Sequence, residues 1–276
     1  MSTERELKFE SPTFFSRLKG MLGVDFYRLF HTPMYYIFLA IAAIIPAMIL
    51  GTAGMPGPDG TVAAPLYTNT WHIIAAESPL YVVSGIGEYA NMNMVFIFGG
   101  IMVSIFIGHD YKSGYVKQLF TTHAKKQDYM MSKSITCAFA MACMCITYLI
   151  GAVVAGLLTG ASMEVNVGSL IFAVLGKMIM SLGWASLYTF LNIIFRRYFG
   201  ISIASSFFFG TGILIIGAAA IIGNNSALNI FLYGSSVYAC LGSNASTLLV
   251  CLVCSVVWAV IYNVLGTRIL SKSDVY

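Results

Sequence analysis

The sequence predicts an all-α membrane protein of six transmembrane helices, and three observations carry that prediction. The first is composition: 58% of the 276 residues are hydrophobic and 9% are charged, against about 25% charged in a soluble domain. The second is the presence of six long apolar stretches, 34–53, 92–108, 134–158, 169–195, 199–222 and 246–266, each near the ~20 residues that cross a hydrocarbon core. The third is the partition of charge. Every Lys and Arg except Lys177 falls in 1–33, 109–133, the Arg196-Arg197 pair or 267–276. The alternate segments, 54–91, 159–168 and 223–245, hold no Lys or Arg but carry Asp59, Glu77, Glu88 and Glu164. Basic loops stay on the cytoplasmic side, so the first set is expected inside, with both termini cytoplasmic. An even number of spans agrees.

Before the first span, residues 13–31 read as an amphipathic helix on the inner leaflet. At ~100° per residue, Phe14, Phe15, Leu18, Leu22, Phe26 and Leu29 share one face. Asp25 intrudes on that stripe. Pro12 suits a helix start, and Pro33 separates this helix from the first span. Pro46 is expected to kink the first span. The first 33 residues lack the continuous apolar core of a cleavable signal peptide, which leaves the first span as the insertion signal.

The outer loop 54–91 opens on a turn-rich run of Gly and Pro, then becomes aromatic, with Tyr67, Trp71, Tyr81 and Tyr89. A further apolar stretch, 228–241, is too short to span and is interrupted by Gly234-Ser235-Ser236; it reads as a re-entrant segment before the last span. The whole chain, 1–276, reads as one transmembrane domain. Its net charge of +4 follows the inner membrane face rather than signalling nucleic acid.

Catalytic constellations are missing from the sequence. There is no G-x-x-x-x-G-K-[ST], H-E-x-x-H or G-x-S-x-G. His31, His72, His109 and His123 are scattered. Cys251 and Cys254 form a C-x-x-C inside an apolar stretch, with no second pair or His to complete a metal site. No metal, cofactor or catalytic residue is assigned to this chain.

The informative segment is the inner loop 109–133. Gly114 permits a tight turn as the chain leaves the membrane. Residues 115–120 can then form a short helix with an apolar side (Val116, Leu119, Phe120) and a basic side (Lys112, Lys117). Two readings stand: its apolar knobs dock in a groove of a cytoplasmic partner, or the loop rests on headgroups.

Elsewhere, Lys177 lies about eight residues inside the fourth span. A buried cation is costly and often serves a substrate, partner or pathway, yet its stem can also snorkel outward. Trp184, Tyr188 and Asn192 share a face of that helix; they either line a polar path or make interhelical contacts. Gly156-x-x-x-Gly160 is a weak candidate for a helix-dimer seam.

On these residues the chain resembles the permease subunits of type-2 ATP-binding-cassette exporters. Those have an inner-leaflet amphipathic helix followed by six spans. Between spans two and three they carry an acidic residue, then G-[ST]-x-[KR]-x-[IVL], then a basic stretch. Asp110, Gly114, Lys117, Leu119 and Lys125-Lys126 match, with Asp110 in place of the commoner Glu and Tyr115 in place of a small hydroxyl residue. The layout covers nearly the whole chain, the specific motif about 20 residues.

The resemblance implies that 109–133 is the coupling loop, with Asp110, Gly114, Tyr115, Val116, Lys117, Leu119 and Phe120 at the ATPase. It implies a separate cytoplasmic ATPase subunit that holds ATP and Mg. A second permease copy or paralogue is expected, in the cell membrane of a bacterium. The aromatic, uncharged character suits export of an amphipathic or hydrophobic substrate such as a peptide, drug or lipid. Two alternatives make different predictions. An energy-independent carrier or channel transports without an ATPase, and a membrane anchor or sensor binds a cytoplasmic partner without flux.

Overall fold

A computed structural model describes residues 13–51, 69–74, 91–121, 124–164, 166–212, 230–241 and 244–272, the side chains of Cys240 and Leu241 excepted. Its regular elements there are helices, with no strand and one isolated bridge between Asn69 and Ser162. In chain order they are α1 (Phe14–Phe30), α2 (Pro33–Gly51), a 3-10 turn (Thr70–Ile73), α3 (Met94–Lys112), α4 (Tyr115–Thr121), α5 (Lys126–Thr159), α6 (Val167–Ile194), α7 (Phe199–Gly212), α8 (Leu232–Leu241) and α9 (Ala245–Lys272).

Five of these, α2, α3, α5, α6 and α9, are long and apolar enough to cross a membrane. The expected fifth span, 199–222, is described only to Gly212, as the apolar helix α7; residues 213–222 lie outside the described residues. So do most of the aromatic outer loop and the opening of the expected re-entrant segment. The remainder of that segment is α8, ten residues that pack against α6 and α9. The carbonyl of Ile230, just before α8, accepts from Trp258 Nε1 at 2.8 Å, halfway along α9. This short segment therefore begins level with the middle of α9, on an exposed side of the bundle.

Three boundaries run past the sequence reading: α3 continues to Lys112, α5 starts at Lys126 and α9 continues to Lys272. The expected third span, 134–158, is the C-terminal part of a longer helix, because α5 starts at Lys126. No proline interrupts 126–159. The inner loop 109–133 is thus mostly helical: the end of α3, all of α4 and two turns of α5. Pro46 sits inside α2, which continues through it to Gly51.

α5 is the central element, packed on α1, α2, α3, α6 and α9. At its far end Gly160 caps it in the left-handed conformation (φ 69°). A Cβ on Gly156 would stand 2.3 Å from Thr70 Oγ1. Gly156 therefore seats the 3-10 turn, and Gly160 ends the helix. The turn itself pairs with the segment after α5. Thr70 N donates to Ser162 O at 3.0 Å and Trp71 Nε1 to Met163 O at 3.2 Å.

Candidate coupling site and polar core

The face α1 turns inward is Leu18, Asp25 and Leu29, all buried. Asp25, which interrupts the apolar stripe in sequence, lies at the heart of the contact. Its Oδ1 pairs with Lys133 Nζ at 2.6 Å, and its Oδ2 accepts from Ser132 Oγ at 2.6 Å. Lys133 Nζ also pairs with Asp110 Oδ2 at 2.6 Å, and Asp110 Oδ1 pairs with Arg28. Two carboxylates and two cations thus balance, with Asp25, Asp110 and Lys133 fully enclosed. Such a group is tolerable in low dielectric only because each charge meets an opposite one and further donors. One of those donors is Tyr129 OH, 3.4 Å from Asp110 Oδ2. A second tie, Arg17 Nε to Asp128 Oδ2 at 2.8 Å, fixes the start of α1 to the start of α5.

This network sits directly under α4. Gly114 adopts φ 74°, the left-handed geometry that lets the chain turn from α3 into α4. The Arg28 guanidinium lies 4.0 Å from the centre of the Tyr115 ring, a cation–π contact. Burial opposes the Arg28 charge, but the Asp110 carboxylate outweighs it and raises that pKa. Burial pushes the Tyr115 phenol up as well, assisted by Asp25 and opposed by Lys133 and Arg28.

Val116 is buried against Tyr129, Met130, Ile193 and Leu270, with Leu119 and Phe120 packed alongside. The apolar side of α4 is therefore turned into this chain. The outward side is Lys117, Gln118 and Thr121, next to exposed Lys112 and Ser113. Asp110 is likewise an interior group that holds α1, α3 and α5 together. Asp25, Arg28 and Lys133 complete this site, and sequence reasoning did not include them. The available signal was a lone acid in the middle of an otherwise apolar helix face.

The second set of candidate residues forms a polar core in the bundle. Lys177 is fully buried and does not snorkel outward. Its ammonium donates to Asn93 Oδ1 and to the carbonyl of Ser236 on α8, with the Phe96 ring 5.7 Å away. Trp184 stacks on Phe96 with centroids 5.5 Å apart and donates from Nε1 to Ser236 Oγ at 2.7 Å. Tyr188 OH donates to Phe96 O at 2.8 Å, its ring end pressed against Gly100 and Gly210. Asn192 donates to Ser104 Oγ at 3.0 Å and accepts from Ser202. Trp184, Tyr188 and Asn192 thus join α6 to α3, α7 and α8, all three enclosed. In this conformation they make interhelical contacts, and Asn192 also lines a cavity of about 270 Å³ with Lys112, Arg196 and Ser202. Cys251 and Cys254 each point their thiol at a carbonyl, of Ser235 and Ile230.

A set of apolar helices of membrane-crossing length, built around a buried polar core, defines a multi-pass membrane protein. The family described as ABC-2 family transporter protein matches residues 22–219, and the chain belongs to that family: it is a permease of the ABC-2 transporter type. Such a permease is the membrane component and not itself the ATPase, and the family normally works with a cytoplasmic ATPase subunit. The match runs from within α1 past α7, so the whole ion network lies inside it. No curated protein matches the chain.

Proposed function

We propose that this chain, with a second copy or a paralogue, exports an amphipathic or hydrophobic substrate using ATP hydrolysed by a cytoplasmic subunit docked over α4. The observation that carries the reading is the attachment of α4. A seven-residue helix is too short to be stable alone, yet this one is seated on a balanced ion network and an apolar cluster. A push on its outer face therefore reaches α1, α3 and α5 together. Closure of the ATPases would shift the bundle between inward- and outward-facing packings. In this reading the α4 end is cytoplasmic, as the basic residues around it favour, and the membrane is the cell membrane. ATP and Mg belong to the partner subunit.

The test is affinity capture of the tagged chain from its native membrane, with mass spectrometry of what accompanies it. The double variant Lys117→Glu/Gln118→Glu alters only the outward side of α4. Wild type should recover a P-loop ATPase, and the variant should lose it while remaining folded. An ATPase retained by the variant would move the docking site. Failure of wild type to recover one would favour an energy-independent carrier or an anchor.

A further inference from the structure

Between α5, α6 and α9 runs a groove of about 490 Å³, within the ~300–1,000 Å³ range of small-molecule sites. Its walls are apolar, chiefly Met131, Ile135, Leu182, Val256, Val260 and Val264. The polar groups at its floor are already satisfied: Ser134 Oγ donates to Asn263, and Asn263 donates to Ser186. At the α4 end the lining changes to Gln127, Thr267 and Arg268. Lys126 stands beside that mouth, its ammonium on the Leu270 carbonyl at 2.8 Å.

Among the described residues no carboxylate lines the groove. Asp25 is engaged with Lys133, Asp110 with Arg28 and Asp128 with Arg17, and Glu164 lies beyond the opposite end of α5. The groove is therefore apolar along its length and cationic at one end. From Val256 to Arg268 is twelve residues, or ~18 Å of helix, close to the ~15 Å half-thickness of a bilayer's hydrocarbon core. α9, which forms its open wall, is the least enclosed span, with 22% of its most apolar window buried.

We propose that this groove holds one acidic phospholipid of the inner leaflet, its headgroup phosphate on Arg268 and Gln127 and an acyl chain along Val256, Val260 and Val264. The proposal rests on the orientation given above, with the α4 end cytoplasmic. Charge at the mouth selects the headgroup, and the leaflet-long apolar walls take the chain. A second protein copy would leave Arg268 without a complementary charge from any described residue around the groove.

The test uses the full chain purified in mild detergent, offered equal phosphatidylglycerol and phosphatidylcholine and read by native mass spectrometry. Wild type should retain phosphatidylglycerol about fivefold over phosphatidylcholine, as one basic residue near an anionic headgroup supplies. Arg268→Gln should bring that ratio to about one, in line with the loss of that single contact. Val260→Trp, which fills the groove, should lower retention of both lipids. Val257→Trp, exposed on α9 but outside the groove, should behave as wild type. Equal retention of the two lipids by wild type, or unchanged retention by Val260→Trp, would overturn the proposal. So would a lipid-independent wild-type dimer that Val260→Trp splits, since the groove would then be a protomer contact. None of these readings needs an ATPase, so failure here is distinguishable from failure of the capture experiment.

Discussion

Among the described residues two lysines are fully enclosed, and their surroundings are opposites. Lys133 meets two carboxylates, Asp25 and Asp110, which Arg28 and Ser132 help to satisfy. Lys177 meets uncharged groups among the described residues: an amide oxygen, a backbone carbonyl and a ring face. The first arrangement locks three helices and the base of α4 in one geometry. The second joins α6 to α8 and to the residue before α3 through uncharged oxygens. Ion pairs hold the α4 end, and uncharged hydrogen bonds hold the core around Lys177.

The largest expected effect is at Lys133. Lys133→Met leaves two buried carboxylates with one cation between them and should cost about 3–5 kcal/mol, read as a drop in the detergent melting temperature. Adding Asp25→Asn should recover part of that loss. A melting temperature unchanged by Lys133→Met would break the comparison, because the network would then carry no stability. Lys177→Met should cost less, about 1–3 kcal/mol, since it strands the Asn93 and Ser236 acceptors but no charge. The same variant should lower substrate export in vesicles. A stability loss as large as that of Lys133→Met would mean that both lysines are scaffolding.

Trp184→Phe sharpens the contrast further. It keeps the stack on Phe96 and removes the bond to Ser236, at a cost of about 1 kcal/mol. Double-variant cycles of Trp184→Phe with Ser236→Ala should return a coupling of similar size, measured by the same melts. The smallest effect belongs to the outer side of α4. Lys117→Ala should leave stability within about 0.5 kcal/mol of wild type, while ATPase recovery falls.

Apolar length and charge partition made the helical membrane architecture legible, because the bilayer imposes both locally along the chain. The break at Gly114 was equally legible, as a left-handed turn needs a glycine whatever lies around it. The ion network was not. Asp25 and Lys133 are 108 positions apart, and no local pattern reports such a pairing. Lys133 read as a loop cation because the membrane boundary was placed at 134, whereas α5 begins at Lys126. The direction of Val116 was also hidden: a short amphipathic helix can show its apolar side to a partner or to its own chain. The cluster of Tyr129, Ile193 and Leu270 that receives it comes from three distant segments. Trp184, Tyr188 and Asn192 were found by helical spacing, but spacing alone cannot distinguish a lining from a contact.

The length of α5 has a mechanical meaning. Its 34 residues form a rod of ~51 Å, well beyond the ~30 Å of hydrocarbon. One end carries Asp128 and Lys133, gripped by α1, and the other presses Gly156 against Thr70. A rod in contact at both ends carries a displacement from one to the other. A tilt of about 10° shifts one tip sideways relative to the other by ~9 Å at that length, so a shift imposed near α4 is felt at the Thr70–Ser162 pairing with no chain of side-chain rearrangements between them.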